Sequence, residues 1–356
     1  MVELNEKQKK NLKDYFNKLY PTYKKSEEFE KHKNVVLDRI SYFRKELPKK
    51  IDDISEIDLV EILSNTWAIS RAWGNVQYRA QKIIADNGIK KIKEAFKILL
   101  DTSIPPHKRY GKVLKMIKGL GPAAITEILS YIHPHECSIW NRKAREALDI
   151  LNISIINTKK YKLTPQEYKT YNKLVKTIQE ELNFQKSKME DIGLFLTDFF
   201  FFELSQQGAK PEKPKDNGFD HDEIRDLTQD IGSMLGFEAD TEVQVAHGAR
   251  VDVVWSARIG NLGIINYVLE VHKAGSIDSL LMNLQKAKSN PTVQKVVAIS
   301  DETQLEKIKR ESEGLPEEFR RDLTFWPVED VLKVHENLEL AMKTIDNLNL
   351  TPEPFK

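Results

Sequence analysis

The chain has 356 residues, 31% charged and 40% hydrophobic, with a formal net charge of only +1. That composition belongs to globular proteins, the length allows two or three domains, and no apolar run reaches the ~18 residues of a membrane-spanning helix. A single cysteine, Cys137, excludes an internal disulfide and a thiolate zinc cluster.

The start, MVELNEKQKK, lacks the apolar stretch of a secretion signal, so a cytoplasmic, intracellular location is expected. The small net charge conceals an asymmetry. Residues 1–205 carry 37 Lys+Arg against 27 Asp+Glu, whereas residues 206–356 carry 18 against 27. The basic first half points to an anionic partner, and the acidic second half would hold a polyanion poorly by itself.

Residues 1–50 are Lys-rich with apolar residues at helical spacing: Leu12, Phe16 and Leu19, then Phe29, Val36, Ile40 and Phe43 beyond Pro21. The polar remainder reads as a solvated helix face rather than a nucleic-acid arm. Ile57 to Trp73 is a strong amphipathic helix with Trp67 and Trp73 as core anchors. The helical pattern continues from Ile83 to Leu100 and breaks at Pro105-Pro106. Lys112 to Pro134 then reads KVLKMIKGLGPAAITEILSYIHP, an amphipathic helix, a Gly119-Leu120-Gly121-Pro122 turn and a second helix. Glycines let such a turn approach a phosphate closely, and the free N–H groups of the following helix start receive it. Lys115 and Lys118 sit on the incoming helix within reach of the same backbone. An ordinary helical hairpin with a glycine cap gives the same string.

This stretch (112–134) resembles the helix-hairpin-helix motif, and with SIWNRKAREAL (Ser138 to Leu148) it resembles the helix-hairpin-helix DNA glycosylases. The resemblance implies DNA-backbone contact through Lys115, Lys118, Gly119, Gly121, Ala123, Asn141 and Arg142. It argues against base excision. Asn141 stands at the position of the catalytic Asp, Ala123 where some members carry a catalytic lysine, and the iron–sulfur cysteines are absent. An amide neither accepts a proton nor stabilises a cationic sugar as a carboxylate does. HPHEC (His133 to Cys137) matches no standard zinc spacing and reads as loop. Two further helices are expected over 160–205, the second (Ile192 to Leu204) apolar enough to be buried. SQQGAKPEKPKDNG, 205–218, reads as a linker between a helical domain (1–204) and a second domain (219–356).

The second domain opens with an acidic helix ending at Gly236. TEVQV and RVDVVW follow as a hairpin-like pair, then a turn with Gly260 and Gly263, and NYVLEVHK as a central apolar strand. A helix (IDSLLMNLQKAKSN), a buried strand (TVQKVVAIS), another helix and a final strand plus helix complete it. Asp252 lies on the second strand. Glu270 interrupts the apolar run of the third, where an uncompensated buried acid is costly. Two carboxylates on neighbouring strands are what a divalent cation and an activated water require.

This order, roughly Phe219 to Val334, resembles the PD-(D/E)xK nuclease superfamily. The resemblance implies a restriction-endonuclease-like mixed sheet with helices on both faces, and a Mg²⁺ ion (Mn²⁺ substituting) on Asp252 and Glu270. It also implies a supporting acid on the opening helix, Glu223 or Asp226, and a supporting Gln285. The lysine slot holds His272, with Lys273 one position later. On a regular strand His272 shares the Glu270 face, and a bulge would be needed to turn Lys273 inward. The chain is thus expected to be multidomain, an all-helical DNA-binding domain followed by a mixed-sheet α/β domain. Its expected activity is metal-dependent DNA cleavage. A diverged, non-cleaving DNA-binding or assembly protein is the alternative, and a glycosylase or lyase a weaker one. Nucleases that cut both strands often pair, which leaves a homodimer open.

Overall fold

A computed structural model describes residues 2–70, 76–182, 192–207, 218–261 and 263–347. Two compact units emerge: Met1–Ser70 with Arg79–Asp216, and Asn217–Lys356 with Arg71–Tyr78. Most of the expected linker (208–217) and Trp73 lie outside the described residues, whereas Ser205 continues the preceding helix.

The first part of the chain is helical. In order come α1 (Glu6–Tyr23), α2 (Glu27–Ser41), α3 (Leu47–Lys50), α4 (Glu56–Ser64), α5 (Trp67–Ser70) and α6 (Val76–Asn87). Then follow α7 (Ile89–Leu100), α8 (Pro106–Met116), α9 (Pro122–Ile132), α10 (Arg142–Ile150), α11 (Pro165–Glu181) and α12 (Phe195–Gln207). Capping residues set several starts. Asn5 with Gln8 opens α1 and Thr164 with Glu167 opens α11, each pair closing a reciprocal capping box. Pro21 does not end α1, which runs on to Tyr23 at the cost of the one ladder N–H that proline lacks.

Helix α12 is apolar on every side and is buried accordingly: Phe195, Leu196, Phe199, Phe200, Phe201 and Leu204 are all inaccessible. Rings supply much of the surrounding core. Tyr131 of α9 is stacked between Phe43 (5.2 Å) and Phe195 (5.1 Å), and Phe29 meets Phe199 edge-on at 5.8 Å. Trp67 is half-buried under the Arg39 guanidinium, 4.5 Å from the ring centroid. The backbone N–H groups of Trp67 and Ala68 donate to the buried Glu127 carboxylate at 2.6 and 2.9 Å, which satisfies the start of α5.

The second unit is a mixed five-stranded sheet with helices on both faces. Its main segment begins with α13 (His221–Met234), followed by β1 (Glu238–Ala246), β2 (Ala249–Arg258) and β3 (Ile264–Val271). Then come α14 (Ile277–Lys288), β4 (Val293–Ser300), α15 (Glu302–Ser312), α16 (Glu317–Asp322), β5 (Leu323–Pro327) and α17 (Val328–Asn347). Strand order is β1-β2-β3-β4-β5, with the first two pairings antiparallel and the last two parallel. A parallel neighbour requires a crossover, and α14 and α15–α16 provide the two. Their apolar residues (Leu280, Leu284, Leu305, Ile308, Phe319) pack on one sheet face, and those of α13 and α17 (Ile224, Ile231, Val328, Val331) on the other. The short α16 was not anticipated from sequence; too few residues form it to show a periodicity.

Among the described residues no helix is long and apolar enough to cross a membrane. Cys137 is buried as a free thiol, and burial pushes its pKa up to about 12.

The seat of α13 on the sheet is tight. Trp255 of β2 donates its Nε1–H to the Thr228 carbonyl (3.0 Å), and a Cβ at Gly232 would fall 2.3 Å from that same nitrogen. Gly232→Ala must push helix and sheet apart. The expected loss is ~1–3 kcal/mol, the usual range for overpacking, read as a lower urea-unfolding midpoint followed by tryptophan fluorescence.

Candidate active site

The site forms where the β2–β3 ladder runs out. The last aligned pair is Val253↔Leu269, and one step further brings Asp252 opposite Glu270. There the side chains take over the ladder's hydrogen bonds. The Asp252 N–H donates to Glu270 Oε2 (2.9 Å), and the Val271 N–H donates to Asp252 Oδ2 (2.8 Å). Asn283 of α14 adds a brace, its Nδ2 donating to both Glu270 Oε1 (3.1 Å) and the Arg250 carbonyl (2.7 Å). Oδ1 of Asp252 makes no hydrogen bond to any described residue.

A local break in strand geometry aims these groups. Glu242 of β1 has a left-handed backbone (φ 56) and lies between the pairs Thr241↔Val253 and Val243↔Val251, level with Asp252. A non-glycine residue there costs ~1–2 kcal/mol. Around it the faces slip. Ala249 and Val251 of β2 belong to the core under α14, whereas Val253 and Trp255 belong to the core under α13. The Glu242 carboxylate is held by Arg250 Nη2 (2.8 Å) and Arg225 Nη1 (3.5 Å). As a result Glu270 meets α14 through Asn283, while Asp252 meets α13 through His221.

That histidine is the first residue of α13, just after the capping Asp220, and its Nε2 lies 3.3 Å from Asp252 Oδ2. The hydrogen bond to Asp252 raises the His221 pKa above 6.5 against the opposing effect of burial. Glu270 is raised further, from 4.5 to about 7. Burial is the main cause and the Asp252 charge the second, only partly offset by the bonds from the Asp252 N–H and Asn283.

The lysine question is answered by where β3 ends. The strand stops at Val271, and His272 still pairs, its N–H donating to the Ile299 carbonyl (2.7 Å) and its carbonyl accepting from the Ser300 hydroxyl. His272 is 7% exposed, its ring Nε2 has no hydrogen-bond partner, and burial lowers its pKa. Lys273 is exposed, its ammonium 5.9 Å from the Phe219 ring centroid. No bulge turns it inward.

Two residues outside the expected supporting set touch the pair, His221 and Asn283. Asp226 is engaged by Arg225 (2.8 and 3.1 Å), and the Glu223 N–H serves the Asp220 cap (3.2 Å). It is His221 that reaches the pair. On α14, Asn283 rather than Gln285 binds Glu270; two positions along a helix is about 200° of rotation, which aims Gln285 elsewhere. Sequence reading passed over His221, Asn283 and Glu242. For His221 the available signal was the Asp cap immediately before it, which fixes where the helix begins.

In the first unit, the turn between α8 and α9 is braced by Asn87. Its Oδ1 accepts from the Lys118 N–H and its Nδ2 donates to the Lys118 carbonyl, both at 2.9 Å. Gly119 needs its left-handed φ of 90, and a Cβ at Gly121 would lie 2.9 Å from the Tyr161 hydroxyl. Helix α9 starts at Pro122 without a side-chain cap, and Ala123 is half-buried in its first turn. Lys115 and Lys118 are exposed, Lys118 3.7 Å from Asp86. Asn141 spends its Oδ1 on capping α10 through the Ala144 N–H (2.8 Å), and Arg142 pairs with Glu146 (3.8 Å). In the HPHEC stretch, His133 Nε2 lies 2.7 Å from the buried Arg109 Nη2.

Among the described residues, no three or more His, Cys, Asp or Glu side chains are already gathered as a metal cage. Asp252 and Glu270, with His221 beside them, are the groups best placed to hold a cation. Comparisons of the chain with family models, curated proteins and solved structures find no match.

The two pKa shifts act on stability in one direction. Glu270 prefers its proton in the folded protein, so its penalty is absent below about pH 4.5 and complete above about pH 7. His221 contributes fully below pH 6.5 and loses that contribution as pH rises through its elevated folded value. Metal-free protein should therefore lose melting temperature between roughly pH 5 and 8. Asp252→Asn should flatten that decline, as thermal denaturation across the range would record.

Proposed function

We propose that the second unit is a divalent-cation-dependent phosphodiesterase acting on DNA, built as PD-(D/E)xK enzymes are, with the helical unit supplying contacts to the DNA backbone. One observation carries this reading: Asp252 and Glu270 are brought side by side at the strand ends, with burial and mutual repulsion holding the Glu270 pKa near 7. A fold retains such an arrangement at a cost, and a cation removes the cost. The sheet, antiparallel then parallel with helices on both faces, is the frame the resemblance implies.

Asp252 and Glu270 would hold the cation. When bound, it neutralises the pair and polarises a phosphate oxygen, lowering the pKa of an attacking water. The chain's own contribution is positional. The opposing N–H groups and Asn283 engage Oδ2 of Asp252 and both oxygens of Glu270, leaving Asp252 Oδ1 open among the described residues. His272, buried in the lysine slot with an open ring nitrogen, takes the water-orienting role. DNA contact is assigned to the Gly119–Gly121 turn, the uncapped start of α9 and the exposed Lys115 and Lys118. Base excision has no support, because Asn141 is an amide committed to a helix cap.

A diverged, non-cleaving DNA-binding or assembly protein is the second reading, favoured by the surface placement of Lys273. Mg²⁺ or Mn²⁺ calorimetry separates the two, since DNA binding without metal binding selects the second. Cleavage is tested on plasmid, single-stranded and branched DNA with either cation. Asp252→Ala and Glu270→Ala should abolish cleavage and leave DNA affinity unchanged; intact DNA in every wild-type reaction rules the activity out. Replacing Lys115 and Lys118 by Ala should lower DNA affinity and reduce the salt slope by about 1 per lysine.

A further inference from the structure

The resemblance implies an all-oxygen centre, with a third acid supplied by the opening helix. The residues of this chain depart from that. On α13, Arg225 binds both Asp222 (3.0 Å) and Asp226 (2.8 Å), and His221 brings an imidazole to the carboxylate pair. His221 projects from the first position of the helix with its Nε2 3.3 Å from Asp252 Oδ2, and at 37% exposure it has room to adjust. The other carboxylate oxygen, Asp252 Oδ1, has no hydrogen bond to the described protein. A second imidazole, His272, follows Glu270 by two residues just past the end of β3, with a buried and unpartnered Nε2. The site thus combines two fixed carboxylates, a carboxylate oxygen without a partner and a movable nitrogen donor.

We propose that His221 is the third protein ligand of the Asp252–Glu270 centre, and that this nitrogen makes the site selective for Mn²⁺-type transition cations over Mg²⁺. The inference rests on the metal-centre reading given above. Its chemistry is general. Mg²⁺ and Ca²⁺ are hard cations served by oxygen, and Mg²⁺ keeps much of its water. Imidazole suits first-row transition ions, whose affinities for nitrogen-containing sites rise along the series from Mn²⁺. A mixed O,O,N set therefore discriminates where an O,O,O set does not. No cage is formed among the described residues, so closure onto a cation requires His221 to turn from its hydrogen bond with Asp252 toward the ion. A surface-proximal side chain at a helix start allows that movement.

The test uses the full-length protein with Mn²⁺ and Mg²⁺ alone, without DNA. Calorimetry gives both affinities, and pulsed electron paramagnetic resonance of bound Mn²⁺ detects ¹⁴N modulation from a coordinated imidazole. Wild type should bind Mn²⁺ more tightly than Mg²⁺ and show the modulation. His221→Ala should lose it, with Mn²⁺ affinity falling by at least the ~10-fold that loss of even an outer-sphere partner costs, and Mg²⁺ affinity changing little. His272→Ala should retain both the modulation and the preference. Unchanged modulation and Mn²⁺:Mg²⁺ ratio in His221→Ala overturn the proposal while leaving the metal centre standing. Modulation lost in His272→Ala instead assigns the nitrogen to the other histidine and equally overturns it. Wild type that binds neither cation removes the centre itself and this inference with it. Circular dichroism of each variant confirms folding.

Discussion

Two like charges held side by side in a half-buried place set the terms for the second unit. Asp252 and Glu270 repel, and burial adds to the cost of charging Glu270, which explains its pKa near 7. What keeps them together is backbone geometry. Each carboxylate accepts an N–H from the opposite strand, so the last rung of the ladder is made by side chains. The surrounding departures from regularity follow from the same point. Glu242 adopts a left-handed backbone level with Asp252, and the strand faces exchange there, giving Asp252 access to α13 and Glu270 access to α14. Strain of this kind persists only when neighbouring structure enforces it. Here Arg225 and Arg250 hold the Glu242 carboxylate, and Asn283 ties Glu270 to β2 through the Arg250 carbonyl.

The helical unit follows a different rule. Its organising element is α12, whose apolar residues point in every direction and therefore have to be surrounded. Two charged groups drawn into this core have specific partners. Glu127 takes the N–H groups that open α5 together with the Tyr131 hydroxyl, and Arg109 donates to the Leu99 carbonyl (2.5 Å). The turn between α8 and α9 is shaped just as specifically, because Asn87 fixes both sides of Lys118 and leaves Gly119 in a conformation other residues resist. The rigidity of that turn is what a backbone-contacting hairpin requires, and it is also what a stable helical corner requires. The proposal of DNA contact rests on the exposed lysines beside it.

Architecture was largely legible because it follows from local periodicity. Most amphipathic helices, the buried apolar helix ahead of position 205, the glycine-bearing hairpin and the helix-linked parallel strands each show in residue spacing alone; the single helix expected from Ile57 to Trp73 is instead broken after Ser64, with a new helix starting at Trp67. Asp252 and Glu270 were legible for a related reason: an acid that interrupts an apolar strand has to be explained. The supporting cast was not. Asp226 and Gln285 have suitable chemistry at plausible offsets, but Asp226 pairs with Arg225 and Gln285 lies about 200° round α14 from Asn283, while His221 and Asn283 touch the pair. Helical phase relative to a distant strand is not a local property.

The sequence by itself therefore determined two units of different class, opposite charge balance between the halves, strand identities and the carboxylate pair, since all of these rest on residue type and short-range spacing. Tertiary structure alone decided which groups meet that pair. The end of β3 at Val271 buries His272 and leaves Lys273 in solvent, and the start of α13 at His221 sets an imidazole 3.3 Å from Asp252. Both outcomes depend on where an element stops and what it packs against, and that is fixed by contacts between residues far apart in the chain.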